Sequence, residues 1–427
     1  MARQMKDSGV EWIGEIPEGW RVSKMKYIGD YVNGYAFKPE QWGDKGKRII
    51  RIQDLTHSSE NPNYYDGAID PKYQVTAGDI LVSWAATLDA FIWDGEDGWL
   101  NQHIFKAAPV YSQVCYDFFF WMIKEAMQNM NNDNKHGIMM QHVTLDVFGN
   151  FSVPLPSIPE QHRIADFLDR RCAEIDAVIE RTKATIEEYK KLKQAVITEA
   201  VTKGVRGPRP MKDSGYDFIG TVPDEWEVCR LRSIGAPQNG ISKGGEFFGQ
   251  GFPFVSYGDV YKNFALPTSV AGLVESTEDE RERYSVQYGD IFFTRTSETI
   301  EEVGFSSVCL QTIPDATFAG FLIRVRPYTD KLFAEYSKYY FRSSHHGAYL
   351  TKQMNLVTRA SLGQDLLKSM PVLLPSIEEQ KEIAAFLDEK CAALDTLIAK
   401  KTALLTELEA YKKSLIYEYV TGKREVQ

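Results

Sequence analysis

The chain has 427 residues, and its 49 Lys and Arg against 59 Asp and Glu give a formal net charge of −10. Hydrophobic residues make up 43% of it, which is enough for sizeable cores and excludes a largely disordered chain. No apolar stretch approaches the roughly 18 residues that a membrane-spanning helix needs, and the 5 cysteines form no C-x-x-C pair. Without a secretory signal at the N-terminus, we expect a protein of the reducing cytoplasm with no membrane partner. Taken alone, the negative charge argues mildly against nucleic acid as a partner.

Two segments of the sequence occur twice. Residues 5–20 return as residues 211–226 with 9 of 16 positions identical, and residues 155–201 return as 374–420 with 21 of 47 identical. Between these copies, residues 21–154 and 227–373 share little similarity. A duplicated frame with pseudo-twofold character therefore carries two different inserts. We place the domain boundaries at 1–154, 155–204, 205–373 and 374–427.

The inserts have the pattern of mixed α and β structure. In the first insert, residues 48–52 and 79–83 are typical of short strands, and residues 114–130 are typical of a helix. In the second, strands are predicted at residues 253–256, 290–295 and 321–326, and a helix at 331–340. The inserts are thus expected to be two compact α+β domains.

Each copy of the second repeat predicts a long helix. Residues 160–203 contain neither Pro nor Gly, and with Pro159 they would form a helix of roughly 65 Å. Apolar residues recur in heptads, interrupted by polar residues at matching places, which favours a coiled coil formed by the two helices. The alternative is that each helix packs on its own globular domain. The predicted seam consists of Leu168, Cys172, Ile175, Ile179 and Ile186 in the first helix, and Leu387, Cys391, Leu394, Ile398 and Leu405 in the second.

Catalytic motifs are missing from the sequence. It contains no phosphate-binding P-loop, no dinucleotide-binding glycine motif and no G-x-S-x-G elbow. Residues 61–64 read NPNY, close to the NPPY of amino-methyltransferases, but the third position differs and a surface turn is favoured. The E-x-K patterns at 188–190 and 379–381 lack a suitably placed Asp, and the doublet at 345–346 is an isolated pair of histidines. We therefore expect a chain that binds and organises and is not itself an enzyme.

Polar side chains cluster where predicted strands end, in both inserts. Arg, Gln, Asn and hydroxyl groups there match the donors and acceptors of base edges, although each cluster could also be an ordinary loop cap or turn. The candidates for base reading are Arg51, Gln53, Ser83, Trp84, Thr87, Asn101, Gln102 and His103, and then Ser256, Tyr257, Thr294, Arg295, Thr296 and Ser297. The candidates for phosphate contact, which would position the protein without reading sequence, are Lys24, Lys26, Lys45, Lys47, Arg48, Arg230, Arg232 and Lys243.

The repeats also carry a resemblance to a known family. The sequences WIGEIPEGW (12–20) and LPSIPEQHRI (155–164), with their copies from residues 218 and 374, resemble the specificity subunit of type I DNA restriction–modification systems. The inserts resemble target-recognition domains through GDILVSW (78–84), LNQHIF (100–105), GDIFFTRTS (289–297) and AGFLIR (319–324).

The resemblance implies two α+β target-recognition domains separated by two long antiparallel coiled-coil helices. Each domain would read one half of a split, asymmetric site in double-stranded DNA. The implied partners are two modification subunits that use S-adenosylmethionine and restriction subunits that cleave with ATP and Mg²⁺, so this chain would bind no cofactor or metal.

Two other classes of function stay open at this point, a coiled-coil scaffold with two ligand-binding α+β domains and a solitary enzyme. The charge is −6 over residues 1–154 and −2 over residues 205–373, so neither insert is a basic domain. Tight DNA binding is therefore expected only in an assembled complex.

Overall fold

The computed structural model describes residues 3–58, 61–85, 87–134, 143–297, 303–353 and 360–426. Contacts divide the chain into two compact units, unit 1 (Met1–Thr182 with Ala403–Gln427) and unit 2 (Lys183–Thr402). Each unit combines one insert with part of each long helix. This division follows contacts, whereas the boundaries predicted at residues 154, 204 and 373 follow element types and stay a prediction.

The helices of the described residues fall into short ones within the inserts and two long ones. They are α1 (Ile52–Leu55), α2 (Tyr116–Asn134), α3 (Leu145–Asn150), α4 (Ile158–Lys203), α5 (Tyr257–Lys262), α6 (Glu278–Arg283), α7 (Ala334–Tyr340), α8 (Ser344–Gln353), α9 (Gln364–Ser369) and α10 (Ile377–Val420). The helices predicted at 114–130 and 331–340 correspond to α2 and α7. The long helix predicted at 159–203 begins one residue earlier.

Unit 1 contains two four-stranded sheets and two short strand pairs. Its strands are β1 (Met5–Asp7), β2 (Glu15–Pro17), β3 (Arg21–Lys24), β4 (Gly29–Asn33), β5 (Lys47–Ile50), β6 (Asn63–Tyr65), β7 (Gln74–Val75), β8 (Ile80–Ser83), β9 (Asp89–Ile92), β10 (Gly98–Leu100), β11 (Ile104–Pro109) and β12 (Ser152–Leu155). One sheet is antiparallel in the order β4-β11-β8-β9, and the other has the order β6-β5-β10-β7 with β5 and β10 parallel. The pairs are β1-β2 and β3-β12. We call the α+β part of unit 1 domain 1.

Unit 2 repeats this arrangement in its own α+β part, domain 2. Its strands are β13 (Met211–Asp213), β14 (Thr221–Pro223), β15 (Glu227–Arg230), β16 (Gly235–Asn239), β17 (Phe248–Val255), β18 (Leu273–Val274), β19 (Ile291–Thr294), β20 (Thr296–Ser297), β21 (Ser306–Val308), β22 (Thr317–Phe318), β23 (Leu322–Pro327), β24 (Ala360–Ser361) and β25 (Pro371–Leu374). The antiparallel sheet has the order β16-β23-β19-β21, and β17 pairs in parallel with β22. The antiparallel four-stranded sheet and the parallel strand pair therefore recur in two inserts whose sequences share little, whereas the second sheet has only three strands here, in the order β18-β17-β22, and β20 pairs separately with β24.

The long helices run antiparallel to each other within each unit. In unit 1 the rings of Phe167 and Tyr419 are 4.3 Å apart between centroids, and Lys412 Nζ lies 2.6 Å from Asp176 Oδ1. Residue numbers rise along α4 while they fall along α10, which fixes the relative direction. In unit 2, Lys193 Nζ lies 2.7 Å from Asp395 Oδ1. The protein thus has the predicted fold, two α+β domains with a coiled-coil pair of long helices.

Most of the predicted seam is buried, but it does more than join two helices. The seam residues buried to 9% exposure or less are Leu168, Cys172, Ile175, Ile179, Ile186, Leu387, Cys391 and Leu394, while Ile398 and Leu405 are half-buried. Leu168 and Cys172 belong to one continuous core with Phe118 and Phe119 of α2 and with Leu415 of α10. The two readings of the heptads therefore both hold, since the same helix face packs on its domain and on the other helix.

The repeated Trp and Glu-Gln motifs form matching joints between the domains and the helices. Trp20 Nε1 donates to Glu160 Oε2 at 2.9 Å, and Trp226 Nε1 donates to Glu379 Oε2 at 3.0 Å. The buried Gln161 amide accepts from the backbone N–H of Cys115 at 2.8 Å and donates to two backbone carbonyls. These bonds explain why the two repeats recur together, since each supplies half of the joint.

Candidate nucleic-acid interface

In domain 1, the strand-end loops predicted to carry the site meet at one edge. Because β5 and β10 are parallel, their carboxyl ends lie side by side, and the N–H of Asn101 donates to the carbonyl of Ile50 at 3.3 Å. The N–H of Trp84 donates to the carbonyl of His103 at 3.4 Å, with the two rings 5.7 Å apart. We call the surface formed by Arg51, Trp84 and His103 edge 1.

The predicted residues of edge 1 differ in exposure. His103 and Thr87 are exposed, whereas Gln53, Trp84 and Gln102 are half-buried. Ser83 is fully buried and its Oγ donates to the carbonyl of Ala85 at 3.1 Å. Asn101 is 3% exposed and its Oδ1 accepts from the N–H of His103 at 3.3 Å. Ser83 and Asn101 therefore shape the loops from below, and in this arrangement they do not reach outward to a base.

Three of the four basic residues in and beside β5 contact other side chains of domain 1. Arg48 Nε donates to Asp54 Oδ1 at 3.2 Å in an ion pair, which offsets its charge. Arg51 Nη1 donates to Asn63 Oδ1 at 2.7 Å, and its guanidinium lies 4.6 Å from the centroid of the Trp42 ring. Lys47 Nζ lies 5.0 Å from the Trp99 ring, and Lys45 is exposed. Arg51 is thus held in a fixed position at edge 1, as a base-reading side chain would need to be.

Domain 2 forms an equivalent edge from the same strands. The N–H of Ala319, after β22, donates to the carbonyl of Val255 at the end of β17 at 3.1 Å. The N–H of Arg295, after β19, donates to the carbonyl of Phe321 at 2.9 Å. The first bond is equivalent to the one from Asn101 to Ile50 in domain 1, and the second is equivalent to the one from Trp84 to His103. We call the surface formed by Tyr257, Arg295 and Phe321 edge 2.

Several predicted residues of domain 2 have structural roles. Ser256 caps α5, and its Oγ donates to Asp259 Oδ2 at 2.7 Å. Lys243 Nζ lies 2.7 Å from Glu280 Oε2, so its charge is paired within the domain. Thr294 is fully buried, and Thr296 lies half-buried in β20, which pairs with β24. Ser297 belongs to the same strand, but its side chain lies outside what the structure describes. Arg295 is half-buried and remains at edge 2.

A stack of aromatic rings supports Tyr257. The ring centroids of Tyr257 and Tyr261 are 5.9 Å apart, and those of Tyr261 and Phe305 are 5.3 Å apart, both nearly parallel. The guanidinium of Arg342 lies 4.6 Å from the Phe305 ring, and its Nη2 donates to the carbonyls of Val260 at 2.9 Å and Tyr261 at 2.7 Å. Burial lowers the pKa of Arg342 to about 10, so it stays charged at neutral pH and stabilises the carboxyl end of α5. No motif around Arg342 predicts this role.

Four predicted phosphate contacts lie away from both edges. Lys24 ends β3 and Arg230 ends β15, strands whose partners β12 and β25 lead directly into the long helices. Lys26 and Arg232 follow two residues later, and Lys26 Nζ lies 2.8 Å from Asn150 Oδ1. The two pairs occupy equivalent positions in the repeat, since each lies 206 residues from its counterpart.

Phe321 is not among the site residues predicted from the sequence, yet its side chain is 65% exposed at edge 2. Its equivalence to His103 becomes visible only through the shared strand order, because the surrounding sequences differ. At edge 2 an exposed aromatic ring thus lies next to the half-buried Arg295.

The histidine doublet at 345–346 lies in α8. Among the residues that the structure describes, no group of three or more His, Cys, Asp or Glu side chains could hold a metal ion, and no helix is long and apolar enough to cross a membrane. His346 is 4% exposed, with Nδ1 3.1 Å from Ser343 Oγ. Burial lowers the pKa of His346 to about 3, which fits a neutral core histidine.

Comparison with known proteins agrees with this architecture. The family described as "Type I restriction modification DNA specificity domain" matches residues 17–188 and 223–409. The EcoBI specificity subunit of Escherichia coli is 23% identical over 440 aligned residues, covering 100% of this chain and 90% of its own length. A putative MjaX specificity subunit of Methanocaldococcus jannaschii is 26% identical over 440 residues, covering 97% of this chain and 96% of its own.

A solved chain from work on assembly and conformational transition of the type I R-M system has the same fold. It superposes with a TM-score of 0.70 at 17% identity and covers 96% of this chain and 99% of its own length. Because two copies of the specificity domain account for most of the sequence, the chain belongs to the family of type I restriction–modification specificity subunits.

Proposed function

We propose that this chain is the non-catalytic sequence-reading subunit of a type I restriction–modification complex, with each domain reading one half of a bipartite, asymmetric DNA site. The observation that carries the proposal is the equivalence of the two edges. Their backbones are joined by the same hydrogen bonds, yet Trp84 and His103 at edge 1 stand where Arg295 and Phe321 stand at edge 2. An equivalent frame presents both edges to DNA in the same way, and unlike side chains select unlike bases.

The proposed protein partners are two modification subunits and the restriction subunits. The joints Trp20–Glu160 and Trp226–Glu379 supply two equivalent frames, which suits two copies of one modification subunit. S-adenosylmethionine, ATP and Mg²⁺ would be used by these partners, and none would be bound by this chain.

Affinity is proposed to depend on assembly. Domain 1 lies in a segment of net charge −6 and domain 2 in one of −2, and Arg48 and Lys243 are already paired with carboxylates. Few phosphate contacts are therefore available from this chain, and partner subunits would supply most of the rest.

The proposal is tested by methylating DNA with the reconstituted complex and sequencing single molecules to map the modified sites. Arg295→Ala is expected to relax the half-site read by domain 2 and leave the other unchanged. Lys24→Ala, which removes an exposed cation outside both edges, should weaken modification of all sites about equally. Simultaneous relaxation of both half-sites by Arg295→Ala, or methylation without sequence preference by the unaltered complex, would contradict the proposal.

A further inference from the structure

Phe321 is a large apolar side chain held outward at a place where the rest of the surface is built for hydrogen bonding. It is 65% exposed, while Leu322, the next residue, is fully buried in the core of domain 2. A Phe side chain left in water forgoes the favourable free energy that burial of its apolar surface would contribute. An exposed Phe joined through its backbone to Arg295 at the end of β19 therefore points to a partner that covers it.

The turn that carries Phe321 is fixed on both sides. The N–H of Leu322 donates to the carbonyl of Ala319 at 2.9 Å, and the carbonyl of Phe321 accepts from Arg295 at 2.9 Å. A Cβ on Gly320 would lie 2.4 Å from Ser242 Oγ and 3.0 Å from the carbonyl of Ile241, so the turn passes close to a neighbouring segment. The ring is thus presented by a rigid turn, as recognition side chains need to be.

We propose that Phe321 is a specificity-determining residue that contacts the C5-methyl group of one thymine in the half-site read by domain 2. This rests on the proposed function. The thymine methyl is the only apolar group that base pairs present in the major groove, and its neighbours there are donors and acceptors that match Arg295. Insertion of Phe321 as an apolar wedge between bases from the minor groove is a different mode, which would kink the DNA without requiring a thymine methyl group, and the test below separates the two.

In this proposal the two edges recognise bases by different kinds of contact. His103, at the equivalent place on edge 1, is a hydrogen-bonding side chain, so domain 1 would read a polar base edge where domain 2 reads a methyl group.

The test uses the complex with its modification subunits and begins with the site found by methylation mapping. Each thymine of the domain 2 half-site is replaced in turn by deoxyuridine, which removes only the methyl group, and binding is measured for the wild type and for Phe321→Ala. At one position the wild type should lose about four-fold in affinity, the factor equivalent to ~0.8 kcal/mol for one buried carbon. Phe321→Ala should bind both DNAs equally, and Phe321→Leu should recover part of the discrimination.

Tyr328 provides a matched control within the same domain. It is 64% exposed and follows β23, while Phe321 precedes that strand, so the two aromatic residues lie at opposite ends of one strand. Tyr328→Ala should leave the discrimination between thymine and deoxyuridine unchanged.

Other results would overturn the inference. If deoxyuridine lowered the affinity of wild type and Phe321→Ala equally at every position, a methyl contact would be excluded. It would also be excluded if Phe321→Ala changed the bending of the bound DNA without changing the discrimination between thymine and deoxyuridine. Loss of the modification subunits by Phe321→Ala would assign the ring to protein docking. Failure of the wild-type complex to methylate a defined site would instead count against the proposed function itself.

Discussion

At the scale of single residues, the Glu-Gln pair of each repeat shows why a short motif can persist in unlike surroundings. Gln380 is fully buried, its Oε1 accepts from the N–H of Phe333 at 2.8 Å, and its Nε2 donates to the carbonyls of Lys331 at 2.7 Å and Pro375 at 2.9 Å. A primary amide is the side chain that offers both an acceptor and two donors at one point. The motif therefore recurs because the joint needs a side chain that makes these three hydrogen bonds. The repeat in the sequence shows that the motif recurs, and the hydrogen bonds explain why.

Gln380→Ala should destabilise unit 2 by about 1–3 kcal/mol, because it removes three hydrogen bonds and leaves the buried carbonyl of Pro375 without this partner. Hydrogen exchange of residues 331–341, followed by mass spectrometry, would report the loss. The exposed neighbour Glu378, changed to Gln, should shift stability by no more than about 0.5 kcal/mol. Comparable exchange in both variants would contradict the role assigned to the amide.

Glu125 is a buried carboxylate in α2 with a measurable consequence. It is 4% exposed, its Oε1 accepts from Asn129 at 2.7 Å, and its Oε2 has no hydrogen-bond partner among the described residues. Burial raises the pKa of Glu125 from 4.5 to about 7, while the Asn129 bond acts in the opposite direction. The folded state binds this proton more tightly than the unfolded state, so the associated stability is complete below pH 4.5 and is lost as pH rises through 7.

Glu125→Gln should remove that pH dependence. Between pH 5 and 8 the free energy of unfolding of the wild type should fall relative to the variant by on the order of 3 kcal/mol, since one pKa unit equals about 1.4 kcal/mol. Chemical denaturation at a series of pH values measures this. Parallel curves for the two proteins would show that the carboxyl titrates normally, and the exposed Glu11→Gln serves as the control.

At the scale of elements, two of the polar residues that interrupt the heptads, Lys193 and Lys412, each pair with an aspartate of the other long helix. Lys193 of α4 meets Asp395 of α10, and Lys412 of α10 meets Asp176 of α4, at 2.7 and 2.6 Å. The two lysines correspond in the repeat, as do the two aspartates. Thr182 satisfies its own hydroxyl by donating to the carbonyl of Val178 at 2.7 Å. The interruptions therefore specify how the helices are aligned within each unit, at little cost in buried polar groups.

Reversing one charge, Lys193→Asp, should destabilise unit 2 by roughly 1 kcal/mol, and adding Asp395→Lys should restore most of it. The coupling energy measured by this double-mutant cycle should decrease in 1 M salt, since the side chains of both aspartates are about half exposed to solvent. The same cycle at Lys412 and Asp176 is an internal replicate in unit 1. Independent, additive effects would show that the pairs do not define the alignment.

At the scale of the whole molecule, we propose that the two long helices, each of which contributes residues to both units, set the spacing between the half-sites. Deleting the matching heptads 181–187 and 400–406 would shorten each helix by about 10 Å while preserving the heptad phase. If the helices set the spacing, the nonspecific spacer should shorten by about three base pairs and both half-site sequences should stay unchanged. Methylation mapping gives the answer, and exchanging these heptads for others of equal length is the control. An unchanged spacer would refute a spacing role.

The repeats, the long helices, the α+β character of the inserts and the family could all be recognised without a structure. Each of them depends on periodicity or on recurrence along the chain, which the sequence shows directly. The sequence also located the loops of edges 1 and 2, since Arg51, Trp84 and Arg295 follow recognisable strands. It did not determine which side chains face outward. Ser83, Asn101 and Thr294 looked like Arg51 in sequence but lie beneath the surface, while Phe321 looked like core and lies outside it. These differences arise from the tertiary structure, because exposure and hydrogen-bond partners depend on neighbours distant in sequence, as Glu280 beside Lys243 and Arg342 beside Val260 show.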